Sequence, residues 1–251
     1  MMELLKRLAR LIFIFLFSIN PTFAQLDYDR HVAFDNSLTD GNYYYSEGSV
    51  VAPSELELVS GKIPIDTTRY VTPPNSLRLK WRSRSGGDWQ VALRLEKFYR
   101  RVDFSGSELS FWCYSETELR ADQSPLIYLS DASGEGTPAI RLLGSLEKLP
   151  ARQWVRIRLP FSSFAGLYRS TREVNFDPRR LARIAIMQGL DDDEPHTLYI
   201  DDVMIGDAVS DANAPATPVG LSAKGYERHV DLVWQPNRER DLLFYKIYRS
   251  F

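Results

Sequence analysis

Hydrophobic and polar residues alternate in short segments along most of the chain. In the segment NSLRLKWRS, Leu77, Leu79 and Trp81 take alternate positions, and basic residues fill the positions between them. Residues two apart lie on the same side of a β-strand, so one side of such a segment faces a core and the other faces solvent. Similar segments, separated by Gly, Pro, Asp and Ser, follow one another between residues 27 and 207 without a long helical repeat.

Many short strands without intervening helices are typical of antiparallel β-sandwiches. We therefore predict an all-β fold, an antiparallel jelly-roll β-sandwich, for residues 27–207. One helical turn is predicted in FDPRRLARIAI, where Asp177 is placed to cap the turn and Pro178 to occupy its first position.

The two ends of the chain have different patterns. Residues 1–24 combine basic residues with the apolar run LIFIFLFSI and a cleavage site after Ala24, which predicts a bacterial export signal. The run is about half the ~20 residues of a membrane span, so we expect no membrane span after cleavage and a secreted, periplasmic or cell-surface protein. Residues 208–217 form a polar linker with Ala and Pro, and residues 218–251 return to alternating strands.

Charge and cysteine content narrow the functional classes. The net charge of −2 and the pI of about 6.0 disfavour general nucleic-acid binding, because neutralising phosphates requires a surplus of basic residues. Cys113 is the one cysteine of the chain, so it has no partner for an internal disulfide. Its neighbours are apolar, so we expect a small buried side chain rather than a nucleophile.

Several aromatic residues are out of phase with the predicted core. The apolar positions leave Trp112 and Tyr114 on the opposite side of LSFWCYS, and they leave Tyr128 on the opposite side of PLIYLSD. An aromatic ring suits the C–H face of a sugar, and polar side chains such as Arg78 and Gln90 suit its hydroxyl groups. We therefore predict a surface that binds a polysaccharide or oligosaccharide, formed by Trp112, Tyr114, Tyr128, Arg78 and Gln90. The alternative is that these rings pack beneath loops or against a following domain.

The segment LYIDDVMI places two aspartates in an apolar strand. Strict alternation puts Asp201 and Asp202 on opposite sides, so one carboxylate points toward an apolar layer, which is costly unless it is paired or binds a metal. Ca²⁺ satisfies such a group because it takes carboxylate and carbonyl oxygens. The alternative is that Asp201 caps a neighbouring turn or pairs with an arginine.

The order of these motifs resembles that of a known family. A first strand with FDN, the segments PPNSLRLK, LSFW and QWVRIRLPF, and the closing strand YIDDV are similar to those of galactose-binding-like jelly rolls, which serve as carbohydrate-binding modules. This resemblance implies a structural calcium ion held by Asp35, Asp201 and the backbone of residues 74–76. It also implies that Asp202 faces solvent.

Residues 218–251 resemble a second family. The P-x-x-P-x-x-L motif, Trp234 in the second strand and the segment YKIYRS are similar to the opening half of a fibronectin type III domain, which needs about 100 residues. We therefore expect a partial domain here. The same combination resembles the region ahead of the catalytic domain in secreted bacterial glucoamylase-like proteins, which implies a glycan-degrading enzyme with a downstream catalytic domain.

Candidate catalytic residues are sparse. Glycosidic cleavage uses two carboxylates about 5–9.5 Å apart, and Glu55 and Glu57 share a strand face without the closely spaced acid set of jelly-roll glucanases. The acidic run Asp191–Glu194 is typical of a solvated loop, and the histidines show no metal or triad spacing. We therefore predict a non-catalytic carbohydrate-binding module that is not itself an enzyme. The alternative is a structural or adhesive cell-surface spacer without glycan binding.

Overall fold

Two β-sheets packed against each other form the main body of the protein. The structure, a computed structural model, describes residues 32–95, 104, 106–164, 176–206, 217–237, 245 and 247. The predicted export signal at 1–24 lies outside the described residues, as does most of the predicted linker at 208–217. No helix within those described ranges is long and apolar enough to cross a membrane.

The strands are short, and each pair is antiparallel. In chain order they are β1 (Val32–Phe34), β2 (Ser46–Val51), β3 (Glu55–Leu56), β4 (Ile65–Asp66), β5 (Ser76–Arg82), β6 (Asp88–Arg94), β7 (Glu108–Tyr114), β8 (Leu119–Arg120), β9 (Leu126–Asp131), β10 (Ile140–Arg141), β11 (Lys148–Leu149), β12 (Val155–Pro160), β13 (Leu181–Met187), β14 (Pro195–Gly206), β15 (Val219–Gly225) and β16 (Val230–Gln235). Gly, Pro, Asp and Ser in the connections end the strands where the alternating pattern breaks.

Strands that are distant in sequence become neighbours in each sheet. The seven-stranded sheet has the order β12-β7-β14-β5-β3, with β1 paired to β14 and β4 paired to β5. The five-stranded sheet has the order β10-β9-β13-β6-β2. The short pair β8 and β11 and the hairpin of β15 and β16 lie outside these two sheets. The prediction of an all-β, antiparallel sandwich is therefore confirmed.

The inward side chains of both sheets form one apolar core. Trp81 on β5 and Trp89 on β6 are 3% and 1% exposed, and their ring centroids are 5.5 Å apart. These two rings connect the sheets, which confirms that they belong to the core and are not ligand platforms. Cys113 on β7 is also fully buried, and burial raises the pKa of its thiol. It is a small apolar core residue, as the sequence predicted.

The helical turn predicted before β13 is present as a short 3₁₀ helix, Pro178–Arg180. The Asp177 side chain accepts a hydrogen bond from the backbone N–H of Arg179 at 3.1 Å. Asp177 thus caps the turn, and proline at the first position loses no hydrogen bond because that N–H has no partner within a helix.

Candidate functional site

The sandwich divides the predicted ligand-binding residues between its two outer faces. Trp112 and Tyr114 lie on β7 and Arg78 lies on β5, so these three belong to the outer face of the seven-stranded sheet. Gln90 on β6 and Tyr128 on β9 belong to the outer face of the five-stranded sheet. All five side chains are partly exposed, as alternation predicts. They do not form one surface, because the core lies between the two sheets.

Tyr128 lies across the outer face of the five-stranded sheet. Its hydroxyl accepts hydrogen bonds from Gln90 Nε2 at 2.8 Å and from Arg183 Nη1 at 3.2 Å. Because β13 separates β9 from β6, the Tyr128 ring reaches Gln90 by extending over β13. The outward positions paired with Tyr128 there are Ala185 and Ala92, which are almost fully buried. We call these five residues the tyrosine platform, since small residues beneath the ring leave room for it to lie along the sheet.

Charged groups flank the tyrosine platform. Glu47 on β2 accepts Arg183 Nη2 at 3.0 Å and lies 3.9 Å from Arg94 Nη1. The side chains of Glu47, Arg94 and Arg183 are between 34% and 54% exposed. The platform therefore offers a fixed aromatic ring with charged donors and an acceptor at its edge.

A second group of rings and charges lies on the seven-stranded sheet. Tyr114 contacts Trp154 and Tyr199, with ring centroids 5.4 and 5.8 Å apart. The Arg69 guanidinium lies 5.3 Å from the centroid of the Tyr199 ring, and Arg69 Nε donates to Glu116 Oε1 at 2.6 Å. The Tyr114 hydroxyl donates to the same Glu116 oxygen at 3.3 Å. We call Trp154, Tyr114, Tyr199, Arg69 and Glu116 the aromatic-ion cluster.

Sequence reasoning missed the charged half of this cluster. Arg69 follows β4 and Glu116 follows β7 in connecting segments, where alternation carries no information about direction. Trp112, which was grouped with Tyr114 from the sequence, instead has the Arg156 guanidinium 5.7 Å from its ring centroid. No local signal would have placed Arg69 beside Glu116, because the two residues are 47 positions apart.

The remaining predicted donor, Arg78, is engaged in ion pairs. Arg78 Nη2 donates to Glu57 Oε1, and Lys80 Nζ lies 3.5 Å from Glu57 Oε2. Glu55 pairs with Arg84 Nη1 at 2.7 Å. Both glutamates therefore form ion pairs with basic side chains of the same sheet.

A β-bulge interrupts alternation at the two aspartates of β14. The pairing of β14 with β7 shifts register between Asp201 and Met204, and Asp202 has a φ of 48°. This left-handed conformation is more accessible to Asp than to most residues. Asp201 is 0% and Asp202 is 9% exposed. The prediction that Asp202 faces solvent is therefore wrong, because the bulge buries both side chains.

Asp201 is an acceptor for backbone amides. Its Oδ2 accepts the N–H groups of Val71 at 2.7 Å and Thr72 at 2.8 Å, and its Oδ1 accepts the N–H of Asp202 at 2.7 Å. Asp202 Oδ1 accepts the Thr72 hydroxyl at 2.7 Å. Burial raises the pKa of Asp201 to about 6, although the amide hydrogen bonds act in the opposite direction. Asp201 thus holds the segment after β4 against the sheet through hydrogen bonds to its backbone. This arrangement corresponds to turn capping, the predicted alternative to calcium binding.

The predicted calcium ligands Asp35 and Asp201 lie near the pairing of β1 with β14. Asp35 directly follows β1, whose Phe34 pairs with Val203 next to the aspartates. Within the part of the chain that the structure describes, no group of three or more His, Cys, Asp or Glu side chains is arranged to hold a metal ion. Three backbone N–H groups occupy most of the acceptor positions of the Asp201 carboxylate, so a cation there would compete with them. Calcium binding by Asp35 and Asp201 stays a prediction that this arrangement does not favour.

One residue of the acidic loop Asp191–Glu194 is partly buried, whereas the other three are exposed, as predicted for a solvated loop. Asp192 Oδ2 lies 2.8 Å from His196 Nε2, and these two side chains are only 12% and 10% exposed. Asp193 Oδ1 accepts Arg84 Nε at 2.6 Å. The prediction of a solvated loop is therefore wrong for Asp192, whose side chain contacts His196 on β14.

The fold is a β-sandwich similar to that of carbohydrate-binding modules. A crystal structure of a family 30 carbohydrate-binding module is similar with a TM-score of 0.50 and 17% identity, over 75% of this chain and 92% of that chain. This likeness concerns the fold alone, and it confirms the resemblance to carbohydrate-binding modules at that level. No profile of a known protein family matches the chain.

The chain is also similar to an enzyme. It is 31% identical over 227 residues to the exo β-1,2-glucooligosaccharide sophorohydrolase (non-reducing end) of Parabacteroides distasonis, which covers 88% of this chain. The crystal structure of β-1,2-glucanase from Parabacteroides distasonis is similar with a TM-score of 0.66 and 30% identity, over 82% of this chain and 29% of that chain. The chain spans about 30% of the length of the sophorohydrolase.

This similarity overturns the functional prediction from sequence. The predictions of a non-catalytic module and of a protein that is not an enzyme are wrong, because the relative that aligns with 88% of the chain is an enzyme. Those predictions depended on finding no carboxylate pair suited to glycosidic cleavage. The aligned residues of this chain correspond to 30% of the length of that relative.

Proposed function

We propose that this chain is part of an enzyme that hydrolyses β-1,2-linked glucooligosaccharides. The observation that carries the proposal is the 31% identity over 227 residues to the sophorohydrolase. The TM-score of 0.66 to the β-1,2-glucanase supports it from the fold. Export by the signal at residues 1–24 belongs to the same proposal, because an exported enzyme reaches a polymeric glucan that lies outside the cytoplasm.

The tyrosine platform is the surface of this chain that we assign to glucan contact. Tyr128 is fixed by two hydrogen bonds to its hydroxyl, so its ring loses little conformational freedom when a sugar stacks on it. Arg183, Arg94 and Glu47 supply donors and an acceptor for sugar hydroxyls at the edge of the ring. Polysaccharides or oligosaccharides are therefore the proposed partners of this face.

Residues 218–251 are proposed to belong to a fibronectin type III domain. The antiparallel pair of β15 and β16 supports this, as does the contact of Trp234 with Tyr245, whose ring centroids are 5.1 Å apart. Most of the segment YKIYRS lies outside the described residues. The resemblance also implies a downstream glucoamylase-like catalytic domain, and this domain is part of the proposed enzyme. The boundaries 27–207, 208–217 and 218–251 stay predictions.

Hydrolysis is the direct test of the proposed function. We expect the protein translated from the complete gene encoding this chain to release sophorose from a β-1,2-linked glucotetraose, measured by anion-exchange chromatography of the products. The matched controls are glucotetraoses with β-1,3 and β-1,4 linkages, which we expect to remain uncleaved. Failure to cleave the β-1,2-linked substrate would contradict the proposal.

Replacing Tyr128 by alanine is expected to weaken binding of the β-1,2-linked glucotetraose to the purified chain by about tenfold, because the stacking surface is lost. Isothermal titration calorimetry measures the affinity. The control is Tyr44→Ala, since Tyr44 is 54% exposed and precedes β2, outside the strands that carry the tyrosine platform. Equal affinities for the native chain and Tyr128→Ala would remove the tyrosine platform from the proposal.

A further inference from the structure

We infer that the aromatic-ion cluster on the seven-stranded sheet is a second glucan subsite, which takes one glucose residue of a β-1,2-linked chain. The inference rests on the proposed function and adds a site to it. The cluster lies on the opposite face of the sandwich from the tyrosine platform. The two subsites therefore bind sugar independently of each other.

The aromatic part of the cluster provides a stacking surface. Trp154 and Tyr114 are partly exposed, whereas Tyr199 is 7% exposed and forms the floor. The Trp154 and Tyr114 rings are tilted by 44° at a centroid distance of 5.4 Å. The two rings therefore present an apolar wall against which the C–H face of a pyranose stacks.

The charged part of the cluster remains accessible beside this wall. The Arg69 and Glu116 side chains are each 38% exposed while they pair at 2.6 Å. Arg152, which is 78% exposed, lies 3.6 Å from the other oxygen of Glu116. A guanidinium and a carboxylate each present two parallel hydrogen-bonding atoms, so the pair suits two adjacent hydroxyl groups.

The segment that carries Arg69 is fixed on both sides. Before it, Asp66 Oδ1 accepts the N–H groups of Thr68 and Arg69 at 2.8 Å. After it, Asp201 accepts the N–H groups of Val71 and Thr72. The Ser76 hydroxyl donates to the Arg69 carbonyl at 2.6 Å. Arg69 is therefore held over Tyr199 before any ligand binds, which reduces the entropy lost on binding. The buried aspartate of β14 thus acquires a role in positioning this subsite.

Linkage chemistry favours β-1,2-linked glucose for this arrangement. Each internal residue of a β-1,2-linked chain keeps adjacent free hydroxyls at C3 and C4. An internal residue of a β-1,3-linked chain keeps none, because the linkage occupies the hydroxyl between those at C2 and C4. A site built from a stacking wall and a two-pronged ion pair therefore discriminates between these two polymers.

The test uses the chain carrying Tyr128→Ala, so that the tyrosine platform no longer dominates the binding signal. We expect this variant to retain measurable affinity for the β-1,2-linked glucotetraose in calorimetry. It is expected to bind the β-1,3-linked glucotetraose about fivefold more weakly, because only the terminal residues of that ligand keep adjacent hydroxyl groups. Adding Trp154→Ala is expected to weaken the remaining affinity by about tenfold. Adding Glu116→Gln instead is expected to weaken it about fivefold, since the charge is lost while the shape is kept. Adding Tyr44→Ala is the control and is expected to change nothing.

The outcomes separate this subsite from the proposed function. Loss of all binding in the Tyr128→Ala chain overturns the second subsite, while hydrolysis by the complete protein still stands by itself. Residual binding that is unaffected by both Trp154→Ala and Glu116→Gln also overturns it. Binding that depends on Trp154, in a protein that does not hydrolyse β-1,2-linked glucan, supports the subsite and contradicts the proposed enzyme. If Trp154→Ala lowers the melting temperature, Glu116→Gln carries the test, since that side chain is partly exposed.

Discussion

Replacing Asp201 by alanine is expected to lower the free energy of unfolding by about 2–4 kcal/mol. The substitution removes the acceptor of three backbone N–H groups, those of Val71, Thr72 and Asp202. Each amide left buried without a partner costs about 1–3 kcal/mol, and removal of a buried charge offsets part of the sum. Urea unfolding followed by tryptophan fluorescence measures the change.

The control for this variant is Asp122→Ala. Asp122 pairs with Arg120 at 3.0 Å, but its side chain is 57% exposed, so we expect no measurable change in the free energy of unfolding.

The melting temperature of the native protein, measured with and without a chelator, tests the calcium prediction. We expect no change on chelation, because amides already satisfy Asp201. A fall in the melting temperature on chelation would instead support the calcium site at Asp35 and Asp201.

Asp201 also gives the protein a pH dependence. Its pKa is raised by burial from the ordinary value of 3.8 to about 6. Below the ordinary pKa the group is protonated in both states. As the pH rises toward 6 the unfolded chain releases the proton first, so the free energy of unfolding falls across this window. Asp201→Asn is expected to flatten that part of the pH profile, and an unchanged slope would contradict the raised pKa.

Replacing Trp89 by alanine is expected to cost about 3–5 kcal/mol of stability. Trp89 is 1% exposed, its ring contacts Trp81 across the sheets, and its Nε1 donates to Ser83 Oγ at 3.0 Å. The substitution leaves a large cavity between the sheets and an unpaired hydroxyl at Ser83. Thermal unfolding measures the effect, with an expected fall in melting temperature of about 6–20 °C.

Val50→Ala is the matched control for this core substitution. Val50 is the cross-strand partner of Trp89 on β2, yet it is 42% exposed. We expect its replacement to change stability by about 0.5 kcal/mol or less. A Trp89→Ala protein as stable as the Val50→Ala protein would show that the two sheets do not share the core described above.

No local motif of this chain indicated an enzyme. Glu55 and Glu57 were the candidates for a carboxylate pair, and both are in ion pairs with basic side chains. The correction comes from identity distributed over 227 residues, which is a property of the whole alignment and of no local motif.

The sequence by itself determined the strands and their inward sides. Leu77, Leu79 and Trp81 are all buried, because the two-residue repeat of a strand is local and does not depend on which strand lies beside it. The cap at Asp177 was predictable for the same reason, since its partner is two residues away. These features need only short-range geometry.

The tertiary structure decided which side chains meet. Tyr128 and Trp112 share the outward phase, yet they lie on different sheets because β9 pairs with β13 while β7 pairs with β12 and β14. The bulge that buries Asp202 depends likewise on the register between β14 and its neighbours. Arg69 reaches Glu116 only after loops distant in sequence are brought together. Alternation sets the direction of a side chain within its own strand, whereas long-range pairing sets its neighbours, and a binding site is made of neighbours.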